Sequence, residues 1–217
     1  MKKKLLFIFP IILLLTSILY IRVGSCNELD RCAKRLHSSN PQERIRGLSE
    51  FTSFDRKTCQ ENIELIIPLL YDEVEKVRVF AFLISGDIFL EPRMNGVLVI
   101  PPFKPPRLKK DDIYIKAAKL ILPHLIEKLK SERELLQRNV LSSIAYIGMI
   151  DDNIDVIIEK LDSENDTVRF YALVALGNIG KESKKAISKI ESMKTNDESN
   201  LIRKTAEQAW IIILQDQ

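Results

Sequence analysis

Several residue types are scarce in this 217-residue chain, and each scarcity closes off a class of protein. Glycine occurs only 7 times, too rarely for a β-rich fold built on tight turns. There are two histidines, His37 and His124, and three cysteines, Cys26, Cys32 and Cys59, so a zinc site lacks both the ligands and the spacing. No Gly-rich phosphate loop, no GxSxG and no HExxH is present, and neither histidine lies beside a nucleophile in the sequence. No catalytic, cofactor-binding or metal-binding residue is therefore assigned. Acidic residues are missing altogether from residues 1–26, which hold Lys2, Lys3, Lys4 and Arg22. Without that segment the formal charge of +3 falls to −1, with 29 basic against 30 acidic side chains. Nucleic-acid binding needs a basic excess that displaces counterions from phosphates, and the body of the chain has none. What is abundant is aliphatic: 46% of residues are hydrophobic, enough for a folded core.

The amino terminus reads as an address. Three lysines precede a charge-free run from Leu5 to Ile21, the arrangement of an export signal. The run is slightly short for a spanning helix, and Pro10 interrupts it. The tetrad Val23-Gly24-Ser25-Cys26 resembles a bacterial lipobox, which implies acylation of Cys26 as the first mature residue; Arg22 departs from the usual apolar position. A retained membrane anchor, a plainly cleaved signal and a buried first helix are the alternatives. All but the last place the protein at a bacterial cell envelope, membrane-anchored or periplasmic. In an oxidising compartment Cys32 and Cys59 can form a disulfide, and otherwise they are two thiols.

The body repeats itself. Segments beginning at Asn40 (NPQERIRGLSEF), Asp72 (DEVEKVRVFAFLISGDI), Ser131 (SERELLQRNVLSSIAYIG), Ser163 (SENDTVRFYALVALGNIG) and Asn196 (NDESNLIRKTAEQAWIII) share one design. Each opens with polar residues, then sets an arginine beside an apolar residue, then runs on at helical spacing. Superimposed this way, the arginines are Arg46, Arg78, Arg138, Arg169 and Arg203, with spacings of 32, 60, 31 and 34 residues. A period of 31–34 residues accommodates two short helices and two turns. The spacing of 60 is either two periods or one period plus an insertion, and residues 91–112, which hold five of the nine prolines, have the composition of an insertion.

In the clearest unit a cap at Ser163, Asn165 or Asp166 starts a helix whose stripe is Val168, Ala172, Ala175, Leu176 and Ile179, and Gly180 ends it. Leu136, Val140, Ile144 and Ile147 repeat the stripe. Ile63 to Tyr71, Ile113 to Lys130, Ile154 to Leu161 and Ser183 to Met193 read as the partner helices, two of them carrying Pro68 and Pro123. The arginines have two possible uses, as a ladder for anions or as bonds to the adjacent turn, for which Glu75, Asp166 and Asn200 are available.

This pattern resembles the HEAT-repeat family, above all its short bacterial units, from about Asn40 to Ile213, with VRFYALVALGNIG the strongest match. The resemblance implies an all-α fold: an α-solenoid of about five HEAT-like helical hairpins over residues 27–217, with a Pro-rich insertion at 91–112 and a signal or anchor helix at 1–26 before it. It further implies a concave inner layer made by the second helix of each hairpin. The expected function is a non-catalytic scaffold for an unidentified protein partner, held at a membrane through its N-terminus. The alternative, an enzyme or enzyme-accessory protein like the bilin lyases that carry similar repeats, requires a cluster of chemical groups on the concave face. The insertion offers a second contact surface, since IPPFKPPRLKK combines polyproline-like backbone with Phe103, Lys104, Arg107, Lys109 and Lys110.

Overall fold

The computed structural model describes residues 27–90, 110–149 and 153–215, and all the regular structure in them is helical. Ten α-helices run α1 (residues 27–36), α2 (Pro41–Phe51), α3 (Arg56–Glu61), α4 (Glu75–Asp87), α5 (Asp112–Ser131), α6 (Glu134–Ile147), α7 (Ile154–Glu159), α8 (Asp166–Ile179), α9 (Ile187–Asn196) and α10 (Asn200–Gln215). They pair into five hairpins. The even-numbered helices form one layer in which α2 packs on α4, α4 on α6, α6 on α8 and α8 on α10. The odd-numbered helices form the second layer, with α5 lying between α3 and α7. The expected signal or anchor helix and Cys26 lie outside the described residues. Among the described residues no helix is long and apolar enough to cross a membrane.

Two of the second helices, α2 and α8, start at a side-chain cap. Asn40 and Asn165 accept hydrogen bonds from the backbone N–H two residues on, which satisfies an otherwise orphaned donor. Gly148 ends α6 in the left-handed region, at φ 55°. The stripes expected on α6 and α8 are buried throughout. The first helices are less regular than their sequences suggest. Ile63 to Tyr71 is not one amphipathic α-helix but two 3₁₀ turns, Ile63–Leu65 and Ile67–Tyr71, because Pro68 has no N–H to continue the ladder. A 3₁₀ turn, Lys160–Asp162, likewise follows α7, and another, Gly180–Ala186, precedes α9. Pro123 is accommodated inside α5 on its exposed side.

Close approach between helices sets two positions. A Cβ on Gly47 would sit 2.9 Å from the Leu36 backbone nitrogen, so the glycine that looks like a weak helix former is what lets α2 lie against α1. A Cβ on Gly86 would sit 2.8 Å from the Ser143 Cα, so Gly86 lets α4 reach α6. Direct packing of α4 on α6 also decides the long spacing: it is one period plus an insertion. The insertion leaves and returns at one place. The Phe89 and Tyr114 rings meet edge to face with centroids 4.8 Å apart, and the Tyr114 hydroxyl donates to the Ile147 carbonyl at 2.6 Å.

Candidate interaction face

The hairpins are held in register by one residue position. Counting from the first residue of each second helix, the fourth is Arg44, Arg78, Gln137, Arg169 and Arg203. Each of these arginines turns Nη1 back onto two carbonyls of the preceding turn. Arg169 donates to Ser163 and Glu164 at 2.8 and 3.1 Å, Arg203 to Asp197 and Glu198 at 2.7 and 3.0 Å, and Arg44 and Arg78 do the same. The rest of the guanidinium reaches the next hairpin. Arg44 pairs with Asp72 at 2.6 Å, Arg78 with Glu132 at 2.8 Å and Arg169 with Asp197 at 3.0 Å. Asp72 and Asp197 also each accept the backbone N–H two residues on, so one carboxylate caps a turn and ties two repeats together.

This corrects the sequence alignment at two of five positions. Arg46 is exposed and pairs with Glu43, while Arg44 holds the shared place. In the third hairpin the turn is one residue shorter, so Gln137 and not Arg138 takes the place, donating to the Glu132 carbonyl at 2.8 Å. The next hairpin there presents Ser163 where the others present an acid, and the Ser163 hydroxyl donates to Glu134. The arginines are thus spent on turns and neighbours, and the anion-ladder role does not apply to Arg44, Arg78 or Arg169. Of the acids expected to serve, Asp166 does bond Arg169, whereas Glu75 pairs with Arg133.

The same numbering fixes which way each side chain faces. Position 7 meets the hairpin's own first helix, as Gly47 shows against Leu36. Positions 8 and 12 meet the next second helix: Ser143 donates to the Phe82 carbonyl, and Gly86 abuts Ser143. Positions 2, 5 and 9 are therefore left on the side away from the first-helix layer. Position 2 is exposed in all five hairpins (Gln42, Lys76, Leu135, Thr167 and Leu201), with Leu135 and Leu201 52% and 59% exposed. Position 5 is Ile45, Val79, Arg138, Phe170 and Lys204, and position 9 runs from Ser49 and Leu83 through Ser142 and Val174 to Gln208. This open face joins an apolar centre to three cations, and none of its fifteen positions is acidic.

Elsewhere the chemistry is structural. His124 Nδ1 lies 2.9 Å from the Tyr71 hydroxyl, which donates to Glu127 at 2.6 Å, and Lys128 covers the Tyr71 ring at 4.1 Å. Partial burial and the Glu127 carboxylate push the Tyr71 phenol up to about 12, so it stays protonated and ties the 3₁₀ turn to α5. Cys32 and Cys59 are both buried thiols in this structure and are not joined. Cys32 Sγ donates to the Gly47 carbonyl at 3.3 Å and Cys59 Sγ to the Phe51 carbonyl at 3.0 Å. Burial, and then the nearness of Cys59, pushes the Cys32 thiol up to about 11. Of the insertion's candidate contact residues only Lys110 is described: it is exposed and donates to the Gly148 carbonyl at 2.7 Å. Phe103, Lys104, Arg107 and Lys109 lie outside the described residues. No three metal-ligating side chains gather among the described residues.

Comparison with known proteins agrees with this architecture. A computationally designed armadillo repeat protein for modular peptide recognition is similar at 16% identity and a TM-score of 0.61, over 88% of this chain and 84% of that one. An archaeal HEAT-like repeats protein from Thermococcus onnurineus NA1 is similar at 15% identity and a TM-score of 0.54, over 86% of this chain and 70% of that one. An engineered protein gives 18% identity and a TM-score of 0.59 over 85% of this chain, which spans only 47% of that protein's length. No curated protein matches in sequence. At these identities the likeness is one of fold, and residues 122–210, which run from the middle of α5 through the fourth hairpin and into α10, match the family described as HEAT repeats.

Proposed function

We propose that this protein is a non-catalytic interaction scaffold that holds a protein partner along the open face of its second helices, at a bacterial envelope to which its N-terminus anchors it. One observation carries the reading. Positions 2, 5 and 9 share one side of the second-helix layer, with Leu135 and Leu201 exposed, Ile45, Val79, Leu83 and Phe170 partly exposed, and Ser142 and Val174 buried between them. Apolar side chains that a solenoid leaves uncovered on one side are where a partner gains most by covering them. The export-like first 26 residues and the lipobox-like Val23 to Cys26 support the anchored address. The basic, Pro-rich residues Phe103, Lys104, Arg107, Lys109 and Lys110 form a second proposed contact for the same partner. Export would also give Cys32 and Cys59 an oxidising compartment in which to pair.

A photo-crosslinking amino acid placed at Phe170 or Leu83, in the full chain expressed in a bacterial host, tests the reading. The expected result is a discrete protein adduct at these positions and none at Lys119, which is exposed on first helix α5. Equal labelling at all three positions contradicts it. Mass spectrometry of the same preparation reads the amino terminus, where an acylated Cys26 is expected and an unmodified chain beginning at Met1 contradicts the lipid anchor.

A further inference from the structure

We infer that the partner of the open face is an acidic protein segment in which carboxylates alternate with apolar side chains. This rests on the scaffold reading and adds its chemistry. The body of the chain is nearly neutral, yet the fifteen positions of the face hold Lys76, Arg138 and Lys204 and no acid. None of the three makes an ion pair among the described residues, and the buried Nε of Arg138 has no hydrogen-bond partner. Arg138 stands beside Tyr171, close enough to offset in part the rise that burial imposes on that phenol. The contrast is internal. Arg44, Arg78 and Arg169, each one position earlier on its helix, all have an acid.

Three acids that border the face, each the first residue of its second helix, are already engaged, whereas Glu207 stands exposed three residues after Lys204. Glu75 pairs with Arg133, Asp166 with Arg169, and Glu134 accepts from Ser163. One helical turn beyond position 9 lies Asp87, which is 2% exposed and so offers no carboxylate at the surface. A half-buried guanidinium without a carboxylate, set among apolar side chains, is complementary to an anion that brings its own apolar neighbours.

Residues 1–26 contain no acid, and residues 91–109 carry Glu91 against Arg93, Lys104, Arg107 and Lys109, so neither segment has the charge that complements this face. A nucleic acid is the poorer fit, because three cations spaced by Val79, Leu83 and Phe170 do not form the continuous basic track a phosphate backbone needs.

The test is fluorescence anisotropy on the full chain with labelled peptides of about 12 residues that alternate leucine with glutamate, glutamine or lysine, a length suited to an extended ligand on such a face. A single-stranded oligonucleotide and phosphatidylglycerol vesicles serve as the other anionic classes. The glutamate peptide is expected to bind at least about tenfold tighter than the other two peptides and to weaken as salt is raised. Arg138→Gln and, separately, the exposed Lys204→Gln are each expected to weaken it by about five- to tenfold, while Lys119→Gln leaves it unchanged. Glutamine or lysine peptides binding as well, no peptide binding, equal or tighter binding of the oligonucleotide or vesicles, or indifference to both face variants overturns the inference. A crosslinked partner at Phe170 whose contacting stretch is neutral or basic overturns it too, while leaving the scaffold reading intact.

Discussion

Replacing Arg169 with alanine is expected to destabilise the fold by about 3–5 kcal/mol, because one partner of a buried ion pair is removed and the other is left behind. Both side chains are only 8% exposed. Burial alone would lower the Arg169 pKa, but the hydrogen bonds and charge of Asp197 and Asp166 raise it, so the guanidinium is charged at every accessible pH. Its loss strands the Asp197 carboxylate and frees the Ser163 and Glu164 carbonyls at once. Thermal melts should show a Tm lower by roughly 10 °C. The chain itself suggests the compensating change, since the neutral residues Gln137 and Ser163 stand at the same two places in the third and fourth hairpins. Arg169→Gln combined with Asp197→Ser is therefore expected to lose at least about 2 kcal/mol less than the two single changes added together. A cost below about 1 kcal/mol for Arg169→Ala, in the range of surface pairs, contradicts the structural role.

Phe82→Ala is expected to cost a comparable amount, about 3–5 kcal/mol for a fully buried aromatic, and to change how the protein unfolds as well as when. Phe82 lies at position 8 of α4, on the side that meets α6, where Ser143 donates to its carbonyl. A solenoid is stable only through contacts between neighbours, so a cavity at this junction weakens the coupling of the first two hairpins to the last three. Trp210, the one tryptophan, stands on α10 with Lys194 over its ring at 3.8 Å and so reports the far end. In the unmodified protein, denaturant curves read by Trp210 fluorescence and by circular dichroism should coincide. In Phe82→Ala the dichroism curve should begin to fall at lower denaturant, while the fluorescence curve moves little. Coincident curves in the variant contradict a junction role for this residue.

Much of this fold can be read from the residues. The stripe of Val168, Ala172, Ala175, Leu176 and Ile179 has helical spacing because it faces a packed layer, and Arg78, Arg169 and Arg203 align without the structure. The two slips have a physical origin. Arg44 and Arg46 both flank Ile45, so an apolar residue beside an arginine matches either one, and only the bonds to the Ser38 and Ser39 carbonyls separate them. In the third hairpin, a turn one residue shorter moves Gln137 into the place that Arg138 occupies by sequence similarity. The first helices were harder to delimit, because Pro68 and the short α7 and α9 leave the choice between α and 3₁₀ turns to tertiary packing. The open face was the least legible part. The apolar character of Phe170 or Val79 is plain, but that Arg138 has no acid among the described residues while Arg169 has Asp197 and Glu198 as well as the local Asp166 depends on neighbours about 30 residues away.

The central claim is that five equivalent hairpins stack with the fourth residue of each second helix as the shared contact, and one double-mutant cycle addresses it. Gln137→Arg and Ser163→Asp together would place at this junction a charged pair like Arg169 with Asp197. Urea denaturation of the two single variants and the double should reveal a favourable coupling of about 1–2 kcal/mol. No coupling between 137 and 163, or a coupling of Asp at 163 to Arg138 instead, would contradict the register on which the stack and its open face both depend.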